Sequence, residues 1–392
     1  MPLMSRQMFE IRWLWLAGVL ALIAVLARPQ VVQAAGPGES GEPDVMCSGR
    51  VLARNGHMCT AIGPAAEALE QVDTELDPLP LPTTSVDLSL FQLPFRYIRL
   101  SSEDPTRLYG SAQDARDGNN SVNAIEAGFD YVSWLECQIL DGKAVYMVAP
   151  GIWMRGGGDC SQIGTSDFRG VSLYRTPQRP FGWILSTVDA RSQPGEGALS
   201  GTRYYRYQVV WIYEEQEVGG LTWYRISPTD WVEQRLMSVV RPDGTRPEGV
   251  ESDRWISIDL YEQTVSAYED GELVYATIAS TGLQGWWTQP GTFQVYAKLD
   301  VDTMQGAFEA DRSDYYYLQD VPWVLYYDQA RAIHGAYWHN GYGYPRSHGC
   351  VNLSPVDANW FYRWAEEGTY VHVYDPTGQT PTDEEFFGSG GA

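Results

Sequence analysis

The sequence predicts a mostly β protein: a C-terminal β-sandwich with one short helix, preceded by an all-β region. Three observations carry this reading. From Arg254 the chain alternates, with Ile256, Ile258 and Leu260 set around Ser257 and Asp259, as a half-buried strand requires. Asp270-Gly271 divides two strand-like runs, Thr264–Glu269 and Glu272–Thr281, and Asp-Gly is a preferred pair for a tight hairpin. Over residues 85–250, apolar and aromatic residues come in short runs cut by Gly, Pro, Asn and Asp.

The elements follow in order. Arg6 and Arg12 precede an apolar run from Trp13 to Ala27, and Val32-Gln33-Ala34 offers a cleavage site. Residues 1–35 therefore read as a secretory signal peptide, or as an anchor if cleavage fails. The run is short for a membrane span of about 20 residues. The rest of the chain is expected outside the cytoplasm, with membrane contact only through an uncleaved N-terminal segment. Residues 36–84 are rich in Pro, Gly and acidic side chains and read as a linker segment. One helix is expected there, from Pro64 to Leu76, before the extended Asp77–Pro82.

Residues 85–250 carry a hint of an internal repeat. Tyr146, Pro150 and Trp153 match Tyr224, Pro228 and Trp231 without a gap, and Leu108-Tyr109 parallels Leu173-Tyr174 at a different offset. Two small β-barrels would give this pattern. In 251–376, further strands are expected at Phe293–Leu299, Val324–Tyr327 and Tyr370–Tyr374. A helix is expected over Asp357–Glu367, with Ser354 as N-cap, Pro355 in the first turn and Gly368 as its stop. The polar, acidic, Gly-rich tail 377–392 is expected to be disordered.

The 392 residues suffice for two or three domains, and a hydrophobic content of 44% excludes a disordered chain. A net charge of -23 without a basic stretch excludes nucleic acid as a partner, since phosphate binding needs Lys and Arg. Export permits disulfides. Cys47 with Cys59, and Cys137 with Cys160, are candidate local pairs that would leave Cys350 as the odd thiol; spacing does not fix the connectivity, and the alternative is that Cys350 joins a disulfide and another thiol is free.

Four of the five histidines fall in the last 59 residues: His334, His339, His348 and His372. The first three crowd the segment around Cys350, and a cysteine becomes a nucleophile when a histidine accepts its proton. Fifteen residues separate His334 from Cys350, enough for a loop between two strand ends. Gly349 allows a backbone that aims the Gly349 and Cys350 N–H groups at an oxyanion. The same side chains could instead hold zinc, although no C-x-x-C or H-E-x-x-H spacing is present, and the reading assigns no metal.

Ile333-His334-Gly335 followed by Ser347-His348-Gly349-Cys350-Val351-Asn352-Leu353 resembles the signature of the L,D-transpeptidase (YkuD-like) domain. The resemblance runs from Ser252 to Asp375. It includes Trp255–Val265, Ser280-Thr281-Gly282, Pro290–Phe293 and the helix after Ser354. One departure is visible: the family's Thr-Pro-x-Gly stands here as Thr288-Gln289-Pro290-Gly291. More weakly, the repeat resembles bacterial SH3-like modules, which accompany cell-wall enzymes.

The resemblance implies a cysteine acyltransferase on peptidoglycan stem peptides, without cofactor. Cys350 would form a thioester with a tetrapeptide and pass it to an acceptor amine as a 3→3 cross-link. His334 would be general base and then acid, oriented by the Gly335 carbonyl. The N–H groups of His348, Gly349 and Cys350 would form the oxyanion hole. Ser347 and Asn352 would brace the loop, with Tyr337, Trp338 and His339 beside the cleft. Carbapenems would acylate Cys350. A hydrolase on the same scaffold, an L,D-carboxypeptidase or amidase, fits the same residues, and a non-catalytic wall-binding protein is the third reading.

Overall fold

The computed structural model describes residues 46–47, 60–61, 81–85, 87–307, 311–312, 314–383 and 386–387. Residues 1–69 and 70–392 are separate compact units. In the first, Met46–Cys47 pairs in parallel with Thr60–Ala61. The signal segment, the Pro64–Leu76 helix, Cys59 and most of the linker segment lie outside the described residues. No helix among the described residues is long and apolar enough to cross a membrane.

Short strands dominate the second unit, as the broken aromatic runs require. The first repeat holds β1 (Arg96–Arg99), β2 (Thr106–Tyr109), helix α1 (Ala112–Asp117), β3 (Ser121–Ile125), β4 (Phe129–Trp134), β5 (Glu136–Leu140), β6 (Lys143–Ala149) and β7 (Ile152–Arg155). Strand β8 (Val171–Ser172) follows. The second repeat holds β9 (Phe181–Ile184), β10 (Val188–Arg191), β11 (Leu199–Tyr204), β12 (Val209–Trp211), β13 (Glu214–Val218), β14 (Leu221–Arg225), β15 (Trp231–Glu233) and β16 (Met237–Val240).

The repeat is present in the topology. The first sheet runs β3-β2-β7-β6-β5 and the second β11-β10-β15-β14-β13, one order in both. Tyr146 pairs with Met154 as Tyr224 pairs with Val232, and both tyrosines are buried. The second parallel fails. Leu108-Tyr109 lies in β2, whose counterpart is β10, whereas Leu173-Tyr174 follows β8 outside either repeat. The Cys137–Cys160 disulfide closes the first repeat.

The C-terminal region adds β17 (Arg254–Asp259), β18 (Thr264–Glu269), β19 (Glu272–Ile278), β20 (Gly291–Gln294), β21 (Ala297–Gly306), β22 (Tyr316–Asp328), β23 (Arg331–Gly335), β24 (Val351–Leu353), helix α2 (Pro355–Trp364) and β25 (Tyr370–Tyr374). Asp270 and Gly271 take left-handed conformations in the β18–β19 turn, as that hairpin type demands. Ser354 caps α2 by accepting the Asp357 N–H. The helix stops at Trp364, short of the expected Glu367, and Gly368 instead donates to the Val295 carbonyl. The expected strand at Phe293–Leu299 is two strands, broken after Gln294.

Two sheets enclose the main core. One runs β8-β19-β18-β17-β25-β20, the other β24-β23-β22-β4-β1, with β21 on β22. Between them pack Ile256, Ile258, Val265, Leu325, Ile333, Val351, Leu353 and Phe361. Strands β1, β4 and β8 come from upstream of residue 250, so the sheets do not stop where the sequence pattern changes. At the C-terminal end, the Phe387 ring is buried over Arg331, and its carbonyl accepts from that guanidinium. That contact corrects the disordered reading of 377–392 at Phe387: Asp328 takes one nitrogen of the buried guanidinium and the Phe387 carbonyl takes another.

Candidate active site

Strands β23 and β24 run parallel, with Ile333 beside Val351, His334 beside Asn352 and Gly335 beside Leu353. One step back in this register places Ala332 beside Cys350. Alternation then puts His334, Cys350 and Asn352 on one face, while Ile333, Val351 and Leu353 enter the core on the other. His334, Cys350, Asn352, Trp338, His339, Ser347 and His348 all line one cavity of about 710 Å³.

Cys350 is a buried thiol, 3% exposed. Burial pushes its pKa up to about 11, offset in part by the Ala332 backbone N–H and the Arg331 guanidinium. The sulfur donates weakly to the Ala330 carbonyl at 3.8 Å. Burial likewise lowers His334 to about 3, with His339 adding to the effect and the Gly335 carbonyl opposing it. The His334 Nδ1 atom has no well-aligned hydrogen bond among the described residues. The resting pair is therefore a neutral thiol and a neutral imidazole.

The loop before β24 is pinned from several sides. Ser347 Oγ donates to the Cys350 carbonyl at 2.5 Å and accepts the Gly349 N–H at 3.1 Å. Gly349 has φ +118°, and a Cβ there would lie 3.1 Å from Arg331 Nε. Thr288 Oγ1 accepts the Gly282 N–H and donates to the Gly349 carbonyl at 2.8 Å. A Cβ on Gly282 would sit 2.0 Å from the Trp286 carbonyl oxygen, so only glycine fits. The departure at Thr288–Gly291 thus leaves the threonine tied to the nucleophile loop.

The histidines divide. His339 Nδ1 accepts the Gly341 N–H, its Nε2 lies 3.2 Å from the Asn352 amide, and burial lowers its pKa to about 4. The His348 ring stacks on Tyr316 and meets the edge of Trp286, which makes it wall. His372 lies in β25 with Nδ1 3.1 Å from Thr292 Oγ1, outside the cavity lining.

Two expectations need correction. Tyr337 does not border the cavity. It is 1% exposed, stacks on Tyr97 and donates to the Gln319 carbonyl, because on the strand exit its side chain points into the packing beneath β1. The Gly349 N–H, expected among the oxyanion donors, is given to Ser347 Oγ. Sequence reading also missed Thr288, Arg331 and the upstream side chains Arg99, Phe129 and Tyr131 that line the same cavity. The Thr288 signal lay in the motif itself; the others had none.

Among the described residues, no three of His, Cys, Asp and Glu are grouped to hold a metal ion.

Residues 253–373 match the YkuD family, the L,D-transpeptidase catalytic domain. Similar solved structures include an L,D-transpeptidase from Stackebrandtia nassauensis, 26% identical over 34% of this chain and 60% of that one, TM-score 0.26. Another is from Xylanimonas cellulosilytica, 30% identical over 33% of this chain and 65% of that one, TM-score 0.26. A third is the catalytic domain from E. faecium acylated by ertapenem, 29% identical over 32% and 100%, TM-score 0.29. The chain thus spans less than two thirds of the length of the first two. No curated protein matches the chain.

Proposed function

We propose that the protein is a peptidoglycan L,D-transpeptidase working through a thioester on Cys350. The observation that carries this is the projection of His334 and Cys350 from adjacent parallel strands into one cavity, inside the segment that matches the family. As Sγ attacks the carbonyl of the donor's third residue, His334 takes the thiol proton. Since both groups rest neutral, charge appears only during attack. The oxyanion falls to the backbone N–H groups of His348 and Cys350. The C–N bond breaks, and the leaving D-Ala amine carries away the proton from His334. The acceptor amine then attacks the thioester and gives its proton to His334. The C–S bond breaks, and the thiolate is reprotonated.

Gly335 orients the His334 ring through its carbonyl, and Trp338, His339 and Asn352 shape the cleft. The shared strand order supports reading residues 85–250 as two SH3-like modules. The N-terminal apolar run and the Cys137–Cys160 disulfide support an extracytoplasmic setting at the cell wall.

Purified protein with a stem tetrapeptide and an acceptor amine tests the reading. Cross-linked dimer with loss of D-Ala is the expected result; D-Ala release without dimer assigns the hydrolase instead. A carbapenem, with its activated carbonyl, should add its mass to Cys350, and Cys350→Ala should abolish both adduct and turnover. Turnover surviving in Cys350→Ala refutes the thioester.

A further inference from the structure

The catalytic cavity is not built from the matched domain alone. Arg99 on β1 and Phe129 and Tyr131 on β4 line it, and all three lie upstream of residue 253. They are held there by backbone pairing: β4 runs parallel to β22, with Phe129 beside Tyr316 and Tyr131 beside Leu318. Tyr316 in turn stacks on His348, two residues from the nucleophile. Arg99 pairs with Tyr131 across β1 and β4. A continuous wall therefore leads from the Cys350 loop to the Arg99 side chain.

The chain carries a net charge of -23, yet none of the described carboxylates pairs with Arg99. Its guanidinium lies 6.0 Å from the Phe129 ring centre and 5.9 Å from that of Tyr131. Aromatic faces hold a guanidinium without neutralising it and leave its donor fork open. Arg346 lines the same cavity but spends its Nε–H on the Gly341 carbonyl, and Asp314 lies on the His348 side. Among the described residues, Arg99 is thus an exposed planar cation on the wall of the reaction cavity with no carboxylate partner.

A planar fork of that kind matches a carboxylate in two parallel hydrogen bonds. Resting on the function proposed above, the donor peptide is cut before its last residue. The free carboxylate of that residue is one Cα removed from the scissile nitrogen. We propose that Arg99, supplied by the upstream repeat, binds the terminal carboxylate of the donor peptide and so places the leaving residue beside His334. The upstream repeat is then part of the active site rather than a spacer.

The test uses the full chain and two synthetic donors, one ending in a free carboxylate and one in a carboxamide. Wild type should prefer the carboxylate in kcat/KM by about tenfold to a hundredfold, the range of a charge-assisted pair. Arg99→Met should lose that preference, mainly through KM, and treat the carboxamide as wild type does; Arg99→Lys should fall between. The same discrimination should appear in calorimetric binding to Cys350→Ala protein, and disappear when Arg99→Met is added. Equal losses on both donors, or a wild type that does not discriminate in binding, would overturn the assignment. A wild type that binds the carboxylate selectively but neither turns it over nor forms a carbapenem adduct refutes the proposed function while upholding the carboxylate site. Melting temperatures of the Arg99 variants separate misfolding from lost recognition.

Discussion

At the scale of single residues, the two catalytic groups are set by burial. Cys350 is pushed up to about 11 and His334 down to about 3, so each is held in its neutral form. The directions agree: burial disfavours thiolate and imidazolium alike, and so favours the neutral form of each. An exposed histidine would titrate near 6.5. The expectation is that kcat/KM shows no acid limb between about pH 5 and 8, and that alkylation of Cys350 by iodoacetamide climbs steadily through that range with no inflection near pH 6.5. Alkylation should keep rising above about pH 9 as thiolate accumulates. A limb near pH 6.5 would mean that His334 titrates normally and that the pair is solvated. Arg331 tempers the thiol from the far side of the sheet. Its guanidinium pairs with Asp328 at 2.6 Å and packs behind Gly349. Its sequence context, a charged residue opening an apolar strand, gave no sign of this role.

At the scale of elements, the legible parts were those fixed by local rules. The β18–β19 hairpin followed from Asp270-Gly271, and the start of α2 from Ser354 and Pro355, because turn and cap chemistry is written in adjacent residues. His334 and Cys350 were legible because one motif holds both on neighbouring strands. Tyr337 was misplaced and Arg99 unseen because β1, which stacks on the one and carries the other, lies more than 200 positions from the catalytic motif in sequence, and no local pattern encodes their approach. Glu262 shows the same limit. It is 1% exposed, yet it accepts from the Val239 N–H at 2.9 Å, from Arg241 at 2.8 Å and from the Tyr224 hydroxyl at 3.2 Å. It therefore stitches β14 and β16 of the second repeat to the turn before β18. Glu262→Ala should leave the Val239 N–H and the Tyr224 hydroxyl unmatched, while the half-exposed Arg241 keeps Glu215, a loss of about 1–3 kcal/mol. Glu262→Gln, which keeps an acceptor, should lose less. Unfolding midpoints in guanidinium would measure both, and equal, small shifts would show that the contact contributes little.

At the scale of the whole molecule, the sheet that carries the nucleophile continues into the first repeat. Strand β22 takes β23 on one side along its second half and β4 beside its first, and β1 closes that edge. Side-chain ties reinforce the joint: Ser133 Oγ donates to Asp320 at 2.5 Å, Tyr97 donates to the Asp320 carbonyl, and Gln319 donates to the Val148 carbonyl. Strand β8 meanwhile extends the opposite sheet beyond β19. Expressing 251–376 alone would strip β22 and β19 of these neighbours, uncover Tyr337 where it stacks on Tyr97, and leave strand edges with unpaired backbone groups. That fragment should melt at least about 10 °C below the chain 81–383, since a loss of several kcal/mol moves a domain of this size by that much. It should also associate through the bared edge on size-exclusion chromatography. Its cavity would lack Arg99, Phe129 and Tyr131, so a soluble fragment should still alkylate at Cys350 yet bind a carboxylate donor no better than its carboxamide. A fragment as stable and as monomeric as the longer chain would show that the matched segment is a self-sufficient domain, with the upstream strands only resting against it.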